Sequence, residues 1–161
     1  KPATIKDFVI YDDADNEVAE AILVRPGFTI FVGAYNIDKA NVEKGFVRVN
    51  QVMKEALGDN IPVVGLTASI LDHAQKFTDN LYKFYNLDAV PIKTMIRANP
   101  GIVLIKDGIV VDKWHYNALP NWSEIVAKHN IAKQAPPTEL VQEEEIMDEE
   151  VMEEAEESVD E

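Results

Sequence analysis

The stretch from Asn99 to Trp114 leaves this chain few ways to fold. It reads Pro100-Gly101, then the apolar run Ile102-Val103-Leu104-Ile105, then Lys106-Asp107-Gly108, then Ile109-Val110-Val111-Asp112-Lys113-Trp114. Two β-branched runs around Asp-Gly predict an antiparallel hairpin. A two-residue turn of this kind needs positive φ, which Asp and Gly accept most readily. Pro100 stands just ahead of the first strand, where its missing N–H removes no ladder bond.

Upstream, Ile5 to Tyr11 predicts a short strand, and Asp12, Asp13 and Asp15 are candidate caps for a helix running to about Val24. Phe28-Thr29-Ile30-Phe31-Val32 is apolar without alternation, as expected of a central strand covered on both faces. A long helix follows, with Asp38 or Asn41 as its cap and Val42, Phe46, Val49, Met53 and Leu57 along one stripe. Val63 to Leu66 predicts another buried strand. Ser69 and Asp72 suggest a capping box before a helix whose stripe is Ile70, Ala74, Phe77 and Leu81. Phe84 to Leu87 predicts an edge strand, Asp88 caps a brief helix to about Arg97, and Asn121 to Glu124 opens a last helix. Such alternation predicts an α/β fold: a central mixed β-sheet flanked by helices on both faces, with the hairpin at its end.

Charge divides the chain in two. Of its net −14, 13 acidic residues and no basic ones lie between Ala135 and Glu161. We therefore read residues 1–134 as a folded domain and 135–161 as an acidic, low-complexity tail, disordered or a marginal helix. The domain is near neutral, with 15 basic and 16 acidic residues. No basic surface is implied, which argues against nucleic acid as a partner. The tail could solubilise the chain or recruit a basic partner.

The chain has no cysteine. Disulfides, thiolate metal sites and every thiol mechanism are excluded. No apolar run reaches the roughly 18 residues of a membrane span, and no signal peptide is visible. The chain opens on Lys1-Pro2 without methionine, so a fragment or processed form is expected.

With a proline directly before the hairpin and an apolar strand ending in Lys and Gly, the element order resembles the thioredoxin-like fold. That resemblance implies a cis Asn99–Pro100 bond lying against the loop that carries catalysis in the fold's redox members. It also exposes a departure. The Cys-x-x-Cys that opens the helix after the first central strand is replaced here by Tyr35-Asn36-Ile37-Asp38-Lys39-Ala40. Dithiol and cysteine-peroxidase chemistry are therefore absent. More narrowly, Leu66-Thr67-Ala68-Ser69, Ile92 to Gly101 and Lys113-Trp114 resemble the C-terminal domain attached to DoxX-type membrane proteins of Bacteroidetes. That implies an upstream membrane part and a membrane-associated full-length protein, on an unspecified side of the bilayer. It implies no reaction.

Candidate site residues are Tyr35, Asn36, Asp38, Arg97, Asn99 and Pro100, brought to one edge by the expected topology. An aromatic face, two amides, a carboxylate and a guanidinium could hold an extended peptide or a small polar ligand. A purely structural account has Asp38 capping the helix, Arg97 in an ion pair and Tyr35 packed on the hairpin. No catalytic residue, metal site or cofactor is predicted. His73, His115 and His129 lack ligand spacing, and Asp12, Asp13 and Asp15 lack the glycine and distal glutamate of a calcium loop. Trp114 and Trp122 are expected to pack the last helix on the sheet. The leading function is a non-catalytic binding or regulatory module. The alternatives are an enzyme using glutathione or a small cofactor at the Tyr35–Pro100 face, and an interaction domain acting through its tail.

Overall fold

A computed structural model describes residues 8–136. Five strands form one sheet in the order β3-β2-β1-β4-β5, with β1 Phe28–Gly33, β2 Val63–Thr67, β3 Lys83–Asn86, β4 Gly101–Lys106 and β5 Ile109–His115. The helices are α1 Ala19–Leu23, α2 Val47–Gly58, α3 Leu71–Gln75, α4 Ala89–Met95 and α5 Trp122–His129. β1 runs parallel to β2 and antiparallel to β4, and every residue of β1 is buried. Side chains alternate across a strand, so that run can be apolar throughout only if both faces are covered. Phe28, Ile30 and Val32 meet Val49, Val52 and Met53 of α2 and Trp122 and Ile125 of α5. On the other face Phe31 meets Ala19 and Ile22 of α1 and Ile92 and Met95 of α4. The fold is α/β, a mixed sheet between two helical layers.

The hairpin turns at Asp107 and Gly108, with φ of 50° and 80°. Asp107 also accepts the Gly27 N–H through Oδ1 at 2.7 Å, tying the turn to the start of β1. At the last helix, Asn121 and Glu124 form the reciprocal capping box.

Several local expectations are corrected. Val9 and Ile10 are not in a strand, and Tyr11 contributes only isolated bridges, to Glu17 and Asn86; Ile5 to Asp7 lie outside the described residues. Asp12 caps no helix. Its Oδ1 instead accepts the N–H groups of Ala14 and Asn16, closing the turn before α1. α3 ends at Gln75 rather than carrying its stripe to Leu81. Asp79 and Asn80 adopt positive φ there, and Phe77 and Leu81 reach the core from turns. Apart from Ala135 and Pro136, the acidic tail lies outside the described residues.

Candidate functional site

β1 and β4 pair with Gly33 opposite Gly101. The segment leaving β1 and the segment entering β4 therefore meet at one end of the sheet. The leaving segment is a 3₁₀ turn at Ile37–Lys39, capped by Asn36, whose Oδ1 accepts the N–H of Asp38 and of Lys39. The entering segment holds Asn99 and Pro100, and the peptide between them is cis. Asn99 joins the two. Its Nδ2 donates to the Asn36 carbonyl at 2.8 Å, and its own carbonyl accepts the Asn41 N–H at 3.0 Å.

Asn41 takes the cap role that was open between it and Asp38. Its Oδ1 accepts the N–H groups of Lys44 and Gly45, and its Nδ2 donates to the Tyr116 hydroxyl at 3.2 Å. The chain then makes a widened turn, Val42–Phe46, closed by the Phe46 N–H on the Asn41 carbonyl, before α2 begins. Such five-residue openings recur at functional sites. Gly45 faces the proline ring: a Cβ there would lie 2.8 Å from Pro100 Cδ.

Tyr35 is half-buried, and the Lys93 ammonium sits 4.6 Å from its ring centroid. Arg97 is exposed and makes no ion pair with a described carboxylate. Asp38 points away from the helix it was expected to cap. Its Oδ1 meets His73 Nε2 at 2.8 Å in an exposed pair. Ser69, expected to cap α3, instead accepts the Ile37 N–H through Oγ at 3.1 Å. The structure thus gathers Tyr35, Asn36, Asn99 and Pro100, and leaves Asp38 and Arg97 at the rim. Sequence reasoning missed Gly45, Ser69 and Tyr116 as parts of this frame, and placed Asn41 only as a cap. A glycine inside the α2 stripe was a usable signal of close backbone approach. Tyr116 carried none.

Among the described residues one buried side-chain polar atom lacks a hydrogen-bond partner, and it is Asn99 Oδ1. The bond from Nδ2 to a carbonyl settles which amide atom is the oxygen. The frame around Pro100 therefore consists of carboxamides and a tyrosine hydroxyl, with one buried, unpartnered acceptor, and the Asp38–His73 pair and Lys93 stand at its rim. Carboxamides bind and orient. They do not supply a nucleophile or shuttle protons at neutral pH. No group of three or more His, Asp or Glu able to hold a metal ion occurs among the described residues.

No family model and no curated protein matches the sequence. Solved structures do. Reduced Prx3 from Vibrio vulnificus, in complex with hydrogen peroxide, superposes with a TM-score of 0.57 at 6% identity, covering 78% of this chain and 96% of that one. A thiol:disulfide interchange protein from Bacteroides sp. gives 0.55 at 12% identity, over 80% and 87%. BsSco, of the Sco family of cytochrome c oxidase assembly proteins, gives 0.55 at 11%, over 76% and 89%. The fold is thioredoxin-like. Identities this low carry the architecture and nothing of the chemistry. The turn that leaves β1 carries Asn36, Asp38 and Lys39, and the chain has no cysteine anywhere. No helix among the described residues is long and apolar enough to cross a membrane.

Proposed function

We propose that the domain is a non-catalytic binding module that holds an extended peptide or a small polar ligand against Pro100. One observation carries this reading: the unpartnered, buried Asn99 Oδ1 beside that proline. A buried acceptor left unsatisfied costs about 1–3 kcal/mol. In the free chain Oδ1 is sealed from solvent, so a ligand N–H reaches it only by displacing the side chains that cover it, and the bond then made removes that cost. Asn36, Asn41 and Tyr116 hold Asn99 in position, and Tyr35 with Lys93 offers a neighbouring wall. The membrane tether implied by residues 66–114 belongs to this proposal too, and rests on that resemblance alone.

The test is a titration of the ¹⁵N-labelled chain with short extended peptides. Shifts confined to Asn36, Asn41, Asn99 and Gly101 support the proposal. Reduction of a protein disulfide or of peroxide by the purified chain would refute it. Glutathione separates out the enzyme alternative, for which the same frame is the only support. Glutathione-dependent turnover by the purified chain would favour that alternative, and none is expected.

A further inference from the structure

The site's own rim says what chemistry its occupant has. From Ala89 to Gly101 the chain carries Lys93 and Arg97 and no acidic residue. Lys39 ends the 3₁₀ turn that leaves β1 and is exposed, and Lys113 of β5 reaches the end of α4, its Nζ 3.4 Å from the Met95 carbonyl. None of these four cations pairs with a described carboxylate. Of the acidic residues in the surrounding turns, Asp38 is engaged by His73 and Glu43 stands exposed in the Val42–Phe46 turn.

Residues 137–161 are the complement: 13 acidic side chains, no basic ones, and Leu140, Ile146, Met147 and Val151 spaced among them. The described chain delivers this segment to the far end of the sheet. There the Gln134 N–H donates to the Asp59 carbonyl and Gln134 Oε1 accepts the Phe28 N–H at the start of β1. β1 is 6 residues long, so the Pro100 end lies about 20 Å away along the strand. A 25-residue segment can span about 80 Å, and tethering gives it a local concentration in the millimolar range.

We infer that the acidic C-terminal segment of this chain docks on its own Pro100 face, across Lys39, Lys93 and Arg97, and competes there with outside ligands. The inference rests on the binding reading above and names its regulator. Charge brings the segment in, an effect that salt screens.

Because the chain has no cysteine, Ser158→Cys in the full chain takes a single nitroxide label. The expected result is loss of amide signal concentrated at Tyr35, Asn36, Lys93, Arg97 and Asn99. The loss should vanish in about 1 M salt, where the screening length is about 3 Å, and in the double variant Lys93→Glu, Arg97→Glu. A second basic groove lies beside α2, lined by Asn50, Lys54, Lys76, Phe77 and Leu81; signal loss centred there, or spread evenly, overturns the inference. So does loss seen only when labelled and ¹⁵N chains are mixed, since that makes the occupant a second copy. The peptide titration, repeated at about 1 M salt, separates the two readings. Shifts at Asn99 without any label effect sink the tail alone. A label effect without peptide shifts sinks the site as a receptor for outside ligands.

Discussion

Asn99 Nδ2 lies 2.8 Å from the carbonyl oxygen of Asn36, 63 residues earlier in the chain. That bond locks the loop leaving β1 to the loop entering β4, and it turns the other amide atom, Oδ1, into a buried acceptor with nothing to accept. The pair defines the site and the strain within it, and the first prediction tests both.

Asn99→Ala removes a hydrogen bond worth about 1 kcal/mol and, with it, an orphaned acceptor costing about 1–3 kcal/mol. The two offset each other. Urea unfolding should show a change between about 0 and 2 kcal/mol in favour of the variant, while peptide-induced shifts at Asn36 and Asn41 disappear. A loss of several kcal/mol would mean that Oδ1 is satisfied in the free protein.

Gly45→Ala should destabilise by about 1–3 kcal/mol, the cost of overpacking a tight interior. The added methyl meets Pro100 Cδ at 2.8 Å, and a ring fused to the backbone cannot swing aside. Gly58→Ala is the control: nothing lies within 4 Å of a Cβ there, and in a helix alanine is the better former. Thermal melts of the two variants should move in opposite directions.

Trp122→Phe should cost about 2 kcal/mol. The buried indole donates from Nε1 to Asp59 Oδ2 at 2.8 Å, a bond to a charged acceptor that joins α5 to the end of α2. Asp38→Ala, which breaks the exposed pair with His73, should cost under 1 kcal/mol. Denaturant midpoints separate the two.

Asp112 makes stability depend on pH. Burial opposes its charge, but Lys128 Nζ and His129 Nε2, each at 2.8 Å, and the Lys113 N–H outweigh that and hold the carboxyl below the ordinary carboxylate range. A carboxyl that ionises more readily folded than unfolded contributes fully above the unfolded value of about 4, and the contribution is lost as pH falls through the folded value. The melting temperature of Asp112→Asn should therefore lie below that of the parent at pH 6–7, with the gap closing toward pH 3. A gap independent of pH would show that Asp112 acts through shape rather than charge.

Local chemistry was readable wherever the answer lies within a few residues. Asp107-Gly108 determined the hairpin because both residues take positive φ, and Asn121 with Glu124 determined a helix start because each side chain meets its partner's backbone three residues away. The unbroken apolar run at Phe28 announced a strand covered on both faces. The absence of cysteine excluded thiol chemistry outright. Only the tertiary structure decided where polar side chains spend their hydrogen bonds. Ser69 and Asp38 both look like helix caps in sequence; one serves the Ile37 backbone 32 residues away, the other His73 35 residues away. A hydroxyl or carboxylate is satisfied as well by a distant donor as by a near one, so local spacing leaves the choice open. The open acceptor of Asn99 belongs to this second kind. It exists because the pairing of β1 with β4 delivers one carbonyl, that of Asn36, to one side of the amide and nothing to the other.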